Sequence, residues 1–104
     1  MRKCKVIVTY GGVARMMLVL DEESCKCEYN GKQISINPSL LLDKIEGIIS
    51  TWGQEPAIKG LVMDGMDIDV YYVSGDIEKS YTYNNLTMPD NAGELISLME
   101  GLHD

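Results

Sequence analysis

Three aspartates, Asp64, Asp67 and Asp69, crowd into the hexapeptide DGMDID. Carboxylates this close can hold a divalent cation or act as a general acid and base. In an extended strand alternate residues share a face, which places Asp67 and Asp69 about 6–7 Å apart on one side. The segment lacks the loop length and terminal Glu of an EF-hand. A row of acids on a wet strand face also serves to discourage edge pairing. The expectation is therefore a solvent-facing strand row rather than a metal or acid–base centre.

Cys4, Cys25, Cys27 and His103 have the donor types of a Cys3His zinc site. Only one residue separates Cys25 from Cys27, whereas zinc spacings commonly leave two or more. Alternation instead assigns both to a face carrying Ile34 and Ile36, where a thiol packs as a small hydrophobe. His103 is the only histidine, so a Ser-His-Asp or Cys-His pair has no well-placed base to draw on. Gly11-Gly12 and the glycines of 60–65 match neither GxGxxG nor a Walker loop, so no phosphate cradle is indicated. No catalytic residue, metal or cofactor is expected.

The remaining candidates are aromatic. Tyr71, Tyr72, Tyr81 and Tyr83 recur through one stretch. Tyr81 and Tyr83 fall on its apolar face, and Tyr71 falls beside Asp67 and Asp69. Tyr among carboxylates is a common composition for a protein-binding patch, above all against a basic partner. Asp67, Asp69, Tyr71 and Glu78 are accordingly the candidate partner-binding residues.

Sixteen acidic and nine basic residues give the 104-residue chain a net charge of −7. That balance excludes a phosphate-backbone binder, which needs clustered Lys and Arg, and allows a basic protein partner or serves solubility alone. No run reaches membrane-spanning length. The opening MRKCKVIVTYGGVARMMLVL is basic, then apolar, but Gly11-Gly12 and Arg15 interrupt it and no small-residue cleavage site precedes Asp21. An odd, sparse cysteine set argues against a disulfide framework and for a reducing, cytoplasmic setting.

The patterning describes a single α+β domain over residues 1–104: an antiparallel sheet built from hairpins, in the order β-β-β-β-α-β-β-α, with two helices packed on it. Residues 3–10 and 13–20 flank Gly11-Gly12, a pair suited to a tight hairpin. Its two-residue turn pairs Val8 with Arg15, Ile7 with Met16 and Val6 with Met17. Val6, Val8, Met17 and Val19 then share one face, and Ile7, Met16 and Leu18 the other. Strands apolar on both faces are central and covered on both sides, or lie at a subunit contact. The hairpin 3–20 is thus also a candidate homodimer surface.

Asn30-Gly31 turns a second hairpin between 24–29 and 32–36, with Cys27 opposite Ile34 and Cys25 opposite Ile36. Asn37 and Pro38 open a helix as N-cap and first residue, with Leu41, Ile45, Ile48 and Trp52 as its stripe, widened by Leu42 and Ile49. Gly53 is its expected C-cap, and Asp43, Lys44 and Glu46 its solvated face. After a connector at 54–59, a short strand at 61–63 leads into a third hairpin. Turning that hairpin at Ser74-Gly75 pairs Ile68 with Tyr81. Turning it at Gly75-Asp76 shifts the partners by two and keeps every residue on its face. A last helix runs from Pro89 to about Leu102, with Leu95, Leu98, Met99 and Leu102 as its stripe and Asn91 with Glu94 as a capping pair.

The arrangement across Asp64–Leu102 joins DG before an alternating strand, a short turn, a Tyr-rich strand, NN-L-x-x-P and an amphipathic helix. It resembles many small uncharacterised bacterial proteins, several of which are similar to immunity proteins that neutralise secreted toxins. The resemblance implies a non-enzymatic cytoplasmic protein that acts by binding, and it transfers no functional residue.

Overall fold

The computed structural model describes residues 1–52, 66–84, 89 and 91–102. Among these residues a six-stranded antiparallel sheet carries two helices. The strands are β1 (Arg2–Tyr10), β2 (Val13–Asp21), β3 (Lys26–Tyr29), β4 (Lys32–Gln33), β5 (Met66–Ser74) and β6 (Ile77–Asn84), and the helices are α1 (Pro38–Ile49) and α2 (Ala92–Glu100). Their order across the sheet is β4-β3-β2-β1-β5-β6. The expected α+β architecture is present, with β1 and β2 at its centre. The expected strand at 61–63 and the connector 54–59 lie outside the described residues. The expected Gly53 cap is overturned, because α1 ends at Ile49 and Ser50 is its C-cap, its N–H donating to the Glu46 carbonyl at 3.0 Å.

Three tight turns carry the hairpins. Gly11 and Gly12 have φ of +57° and +81°, and Asn30 and Gly31 have +52° and +83°. Two consecutive positive φ angles match the right-handed twist of the flanking strands. In the third hairpin Ser74 pairs with Ile77, so the turn is Gly75-Asp76, with Gly75 at φ +60°. This register pairs Ile68 with Tyr83 and Val70 with Tyr81.

The β1–β2 register differs from the sequence expectation. Tyr10 pairs with Val13 and Thr9 with Ala14, but Val8 then pairs with Met16, Ile7 with Met17 and Val6 with Leu18. Arg15 is the extra residue of a β-bulge. Without the bulge, Arg15 would lie opposite fully buried Val8 and bring a charge into the core, which is strongly unfavourable without a partner. With it, Met16, Leu18 and Leu20 face inward beside Cys4, Val6 and Val8, and all six are buried. A one-residue slip exchanges the faces of a strand, so Met17 and Val19 turn outward with Ile7, half-buried.

Both helices contribute to a single core with the inward side chains of the sheet. Leu41, Leu42, Ile45 and Ile49 of α1 and Leu95, Ile96 and Met99 of α2 are buried there. The expected cover on both sides of the first hairpin is therefore not seen: the described helices bury one face only. At its start α1 is capped as expected, the Asn37 side chain accepting from the Ser39 N–H at 3.0 Å. The other end departs from expectation. Asn91 makes no side-chain cap to α2. Its Oδ1 instead accepts from Trp52 Nε1 at 2.5 Å, and its Nδ2 donates to the Ile48 carbonyl at 2.8 Å. The residue at the α2 N-terminus thus satisfies the C-terminal turn of α1 and the indole it buries. Trp52 packs edge-on against Tyr81 and Tyr83, at centroid distances of 5.6 and 5.4 Å.

Two expected outcomes follow. Because Arg15 is the inserted residue, deleting it leaves Met16, Leu18 and Leu20 in their inward register, and the variant retains cooperative urea unfolding followed by circular dichroism. Deleting Met17 flips the remainder of β2 and abolishes that transition. In a separate variant, Asn91→Ala leaves the buried indole N–H without its acceptor and removes one donor from the Ile48 carbonyl, lowering unfolding free energy by about 1–3 kcal/mol, read from the same urea midpoints.

Candidate functional site

The sheet has one face that neither described helix covers. Strand pairing sets out its side chains in rows running from β3 to β6. One row is Glu28, Val19, Lys5, Tyr71 and Ser80, and the next is Lys26, Asp21, Lys3, Val73 and Glu78. In the other direction come Met17, Ile7, Asp69 and Thr82, then Thr9, Asp67 and Asn84.

Asp67, Asp69, Tyr71 and Glu78 all lie on this face. The first three follow one another along β5, and Glu78 is diagonal to Tyr71 across the β5–β6 ladder. Tyr71 is 46% exposed, whereas Tyr72 and Tyr81 on the helix side are 3% and 4% exposed. The Asp69 carboxylate accepts from Thr82 Oγ1 at 2.9 Å.

Sequence reasoning missed the neighbours of this patch. The long-range pairing of β1 with β5 puts Lys5 directly opposite Tyr71, Ile7 opposite Asp69 and Lys3 opposite Val73. The acidic row is therefore flanked by basic and apolar side chains. The apolar residues on both faces of 3–10 were the available signal, but nothing local says which strand lies alongside. Lys3 reaches Asp21 at 3.8 Å and Lys26 reaches Glu28 at 3.4 Å. Exposed pairs of this kind stabilise by about 0–1 kcal/mol, so they order the surface more than they hold the fold.

The three cysteines of the Cys3His set are not brought together. Cys25 is exposed, in a turn at φ +53°, rather than on the buried face where alternation placed it. Cys27 is buried, and its carbonyl accepts from the Ile34 N–H at 2.9 Å. Cys4 and Cys27 both lie inward but are separated by Leu20 on the intervening strand. Two strand spacings amount to about 10 Å, beyond the reach of a disulfide. Burial pushes the Cys4 thiol up to about 12 and raises that of Cys27 as well, so neither supplies a thiolate near neutral pH. His103 and Asp64 fall outside the described residues. Among the described residues no group of three or more His, Cys, Asp and Glu side chains could hold a metal ion.

The charge cluster around Arg2 serves architecture. Arg2 contacts Glu22 at 2.7 Å, Asp43 at 2.6 Å and Glu46 at 2.7 Å. The Arg2 backbone N–H also donates to Glu22 at 2.8 Å, the Ser39 hydroxyl donates to Glu22 at 2.9 Å, and the Tyr72 hydroxyl donates to Glu46 at 2.6 Å. Asp43 and Glu46 were expected to be a solvated helix face. They are exposed but engaged, tying α1 to the start of β1. The Tyr72 hydroxyl is pushed up to about 12, chiefly by burial and then by Glu46, and cannot act as a base near neutral pH. A depression of about 330 Å³ beside it is lined by Glu46, Gly47, Ile49, Ser50, Tyr72 and Lys79. Both Glu46 oxygens are already occupied by Arg2 and Tyr72.

Among the described residues no helix is long and apolar enough to cross a membrane. Comparison with protein-family models, with curated proteins and with solved structures returns no match.

The Arg2 cluster predicts a pH dependence. Arg2, first through its side chain and then its backbone N–H, holds Glu22 at about 2 against an ordinary 4.5. A depressed carboxylate stabilises the folded state above its unfolded value and loses that contribution as pH falls towards the folded one. Unfolding free energy of the native chain therefore declines between about 4.5 and about 2. In Glu22→Gln the decline across this window is shallower, as urea titrations at successive pH values will record.

Proposed function

We propose that this chain is a non-catalytic binding protein whose open sheet face occludes a basic protein partner, in the manner of bacterial immunity proteins. The observation that carries the reading is the placement of Asp67, Asp69, Tyr71 and Glu78 on one face left uncovered by both described helices. Opposite charge speeds encounter and selects the partner, and a desolvated tyrosine adds affinity at contact. The net charge of −7 extends the same attraction to longer range.

Lys3 and Lys5 give the face polarity. A partner's cations are drawn to the Asp67–Asp69 end, while at the other end Lys3 and Lys26 are paired with Asp21 and Glu28 and Glu78 supplies a further carboxylate. A reducing cytoplasmic setting suits the free thiols of Cys4, Cys25 and Cys27. Binding is the activity that the shared placement of acids and an exposed tyrosine on this surface supports.

The test is capture of a basic protein from an extract of the native host by the immobilised chain. Replacing both Asp67 and Asp69 with Lys leaves the circular dichroism spectrum intact and abolishes capture. Unchanged capture by that double variant contradicts the proposal.

A further inference from the structure

At the middle of the open face, two adjacent strands present four side chains as a block. Lys5 lies opposite Tyr71, and Ile7 lies opposite Asp69. The apolar pair Ile7 and Tyr71 occupies one diagonal, and the opposite charges Lys5 and Asp69 occupy the other. Lys3 and Lys26 each pair with a carboxylate of their own chain, whereas Lys5 is exposed and has no ion pair among the described residues. Met17, opposite Ile7 on β2, continues the apolar surface. A block with this arrangement is complementary to itself.

We propose that this face docks onto the same face of a second copy of the chain. The two-fold axis lies between the sheets, perpendicular to the Lys5–Asp69 diagonal. Rotation about it places Lys5 against the second copy's Asp69, and Asp69 against the second copy's Lys5, as an isologous contact requires. Ile7 and Met17 cluster with their counterparts, and the Tyr71 rings meet near the axis. With strands about 4.8 Å apart and same-face residues about 6.8 Å apart, the charged diagonal is inclined about 35° to the strands. The two sheets then cross at about 70°, close to the orthogonal class of sheet packing.

Four strands by four rows cover roughly 500 Å² of sheet per copy, so the pair buries about 1,000 Å², the lower bound for a specific interface. A net charge of −7 on each copy opposes association. The dimer is therefore weak and concentration-dependent. It covers Asp69 and Tyr71, so a basic partner binding the same face competes with it.

Sedimentation equilibrium on four proteins tests this: the native chain, Lys5→Asp, Asp69→Lys and the double exchange. The native chain shows a monomer–dimer equilibrium below about 1 mM, a range in which binding free energy is about 4 kcal/mol or more. Each single exchange sets like charges against each other and weakens the dimer at least about tenfold. The double exchange restores it. A native chain that stays monomeric overturns the inference, as does a dimer indifferent to the single exchanges or a double exchange no better than either single. A monomeric native chain that still captures a basic protein through Asp67 and Asp69 overturns only the self-association.

Discussion

Strand β1 is paired along its length, to β2 on one side and to β5 on the other. The alternation of that one strand fixes which side chains of its neighbours turn inward. Val6 sits between Leu18 and Val70, and all three are at most 2% exposed. Once Cys4, Val6 and Val8 are committed to the helices, Lys3, Lys5, Ile7 and Thr9 must form the opposite face. Each end of β1 carries a device that protects this commitment. The Arg15 bulge restores the inward parity of β2 at one end, and the Arg2 cluster ties the other end to α1. The open face follows from the same parity that makes the core.

Local chemistry made much of the fold legible. Gly11-Gly12 and Asn30-Gly31 read directly as turns because few other residues tolerate consecutive positive φ. Asn37-Pro38 read as a helix start because each residue satisfies a distinct need of the first turn. The faces of β5 and β6 were also correct, since either turn at Gly75 preserves parity. What sequence could not show was decided by tertiary contacts. A bulge at Arg15 has no local signature in VARMM, because it exists to keep a guanidinium away from Val8. Asn91 reads as a cap by residue type, but the buried Trp52 indole offers its side chain a better partner. The engagement of Arg2 with Asp43 and Glu46 joins residues more than forty positions apart.

The same distinction applies to the candidate site. Asp67, Asp69 and Tyr71 could be placed on one face from alternation within β5 alone. Their relation to Lys5 and Ile7 depends on the β1–β5 pairing, which no hairpin turn specifies. This pairing changes the character of the surface. An acidic strip in isolation would attract any cation, whereas this one is bordered by Lys3, Lys5 and the apolar side chains of Ile7 and Tyr71. Asp69 itself accepts from Thr82 and has Ile7 opposite it and Lys5 and Thr9 diagonal to it on β1. The proposed recognition of another protein rests on those mixed surroundings.

The separation of side chains onto two faces can be measured residue by residue by NMR with a soluble paramagnetic agent that broadens solvent-accessible groups. At low protein concentration, signals of Ile7, Met17, Val19 and Tyr71 should broaden strongly, while those of Val6, Leu18, Val70 and Tyr81 remain sharp. Equal broadening of the two sets, or protection of Tyr71 with exposure of Tyr81, would contradict the parity on which both the core and the open face depend.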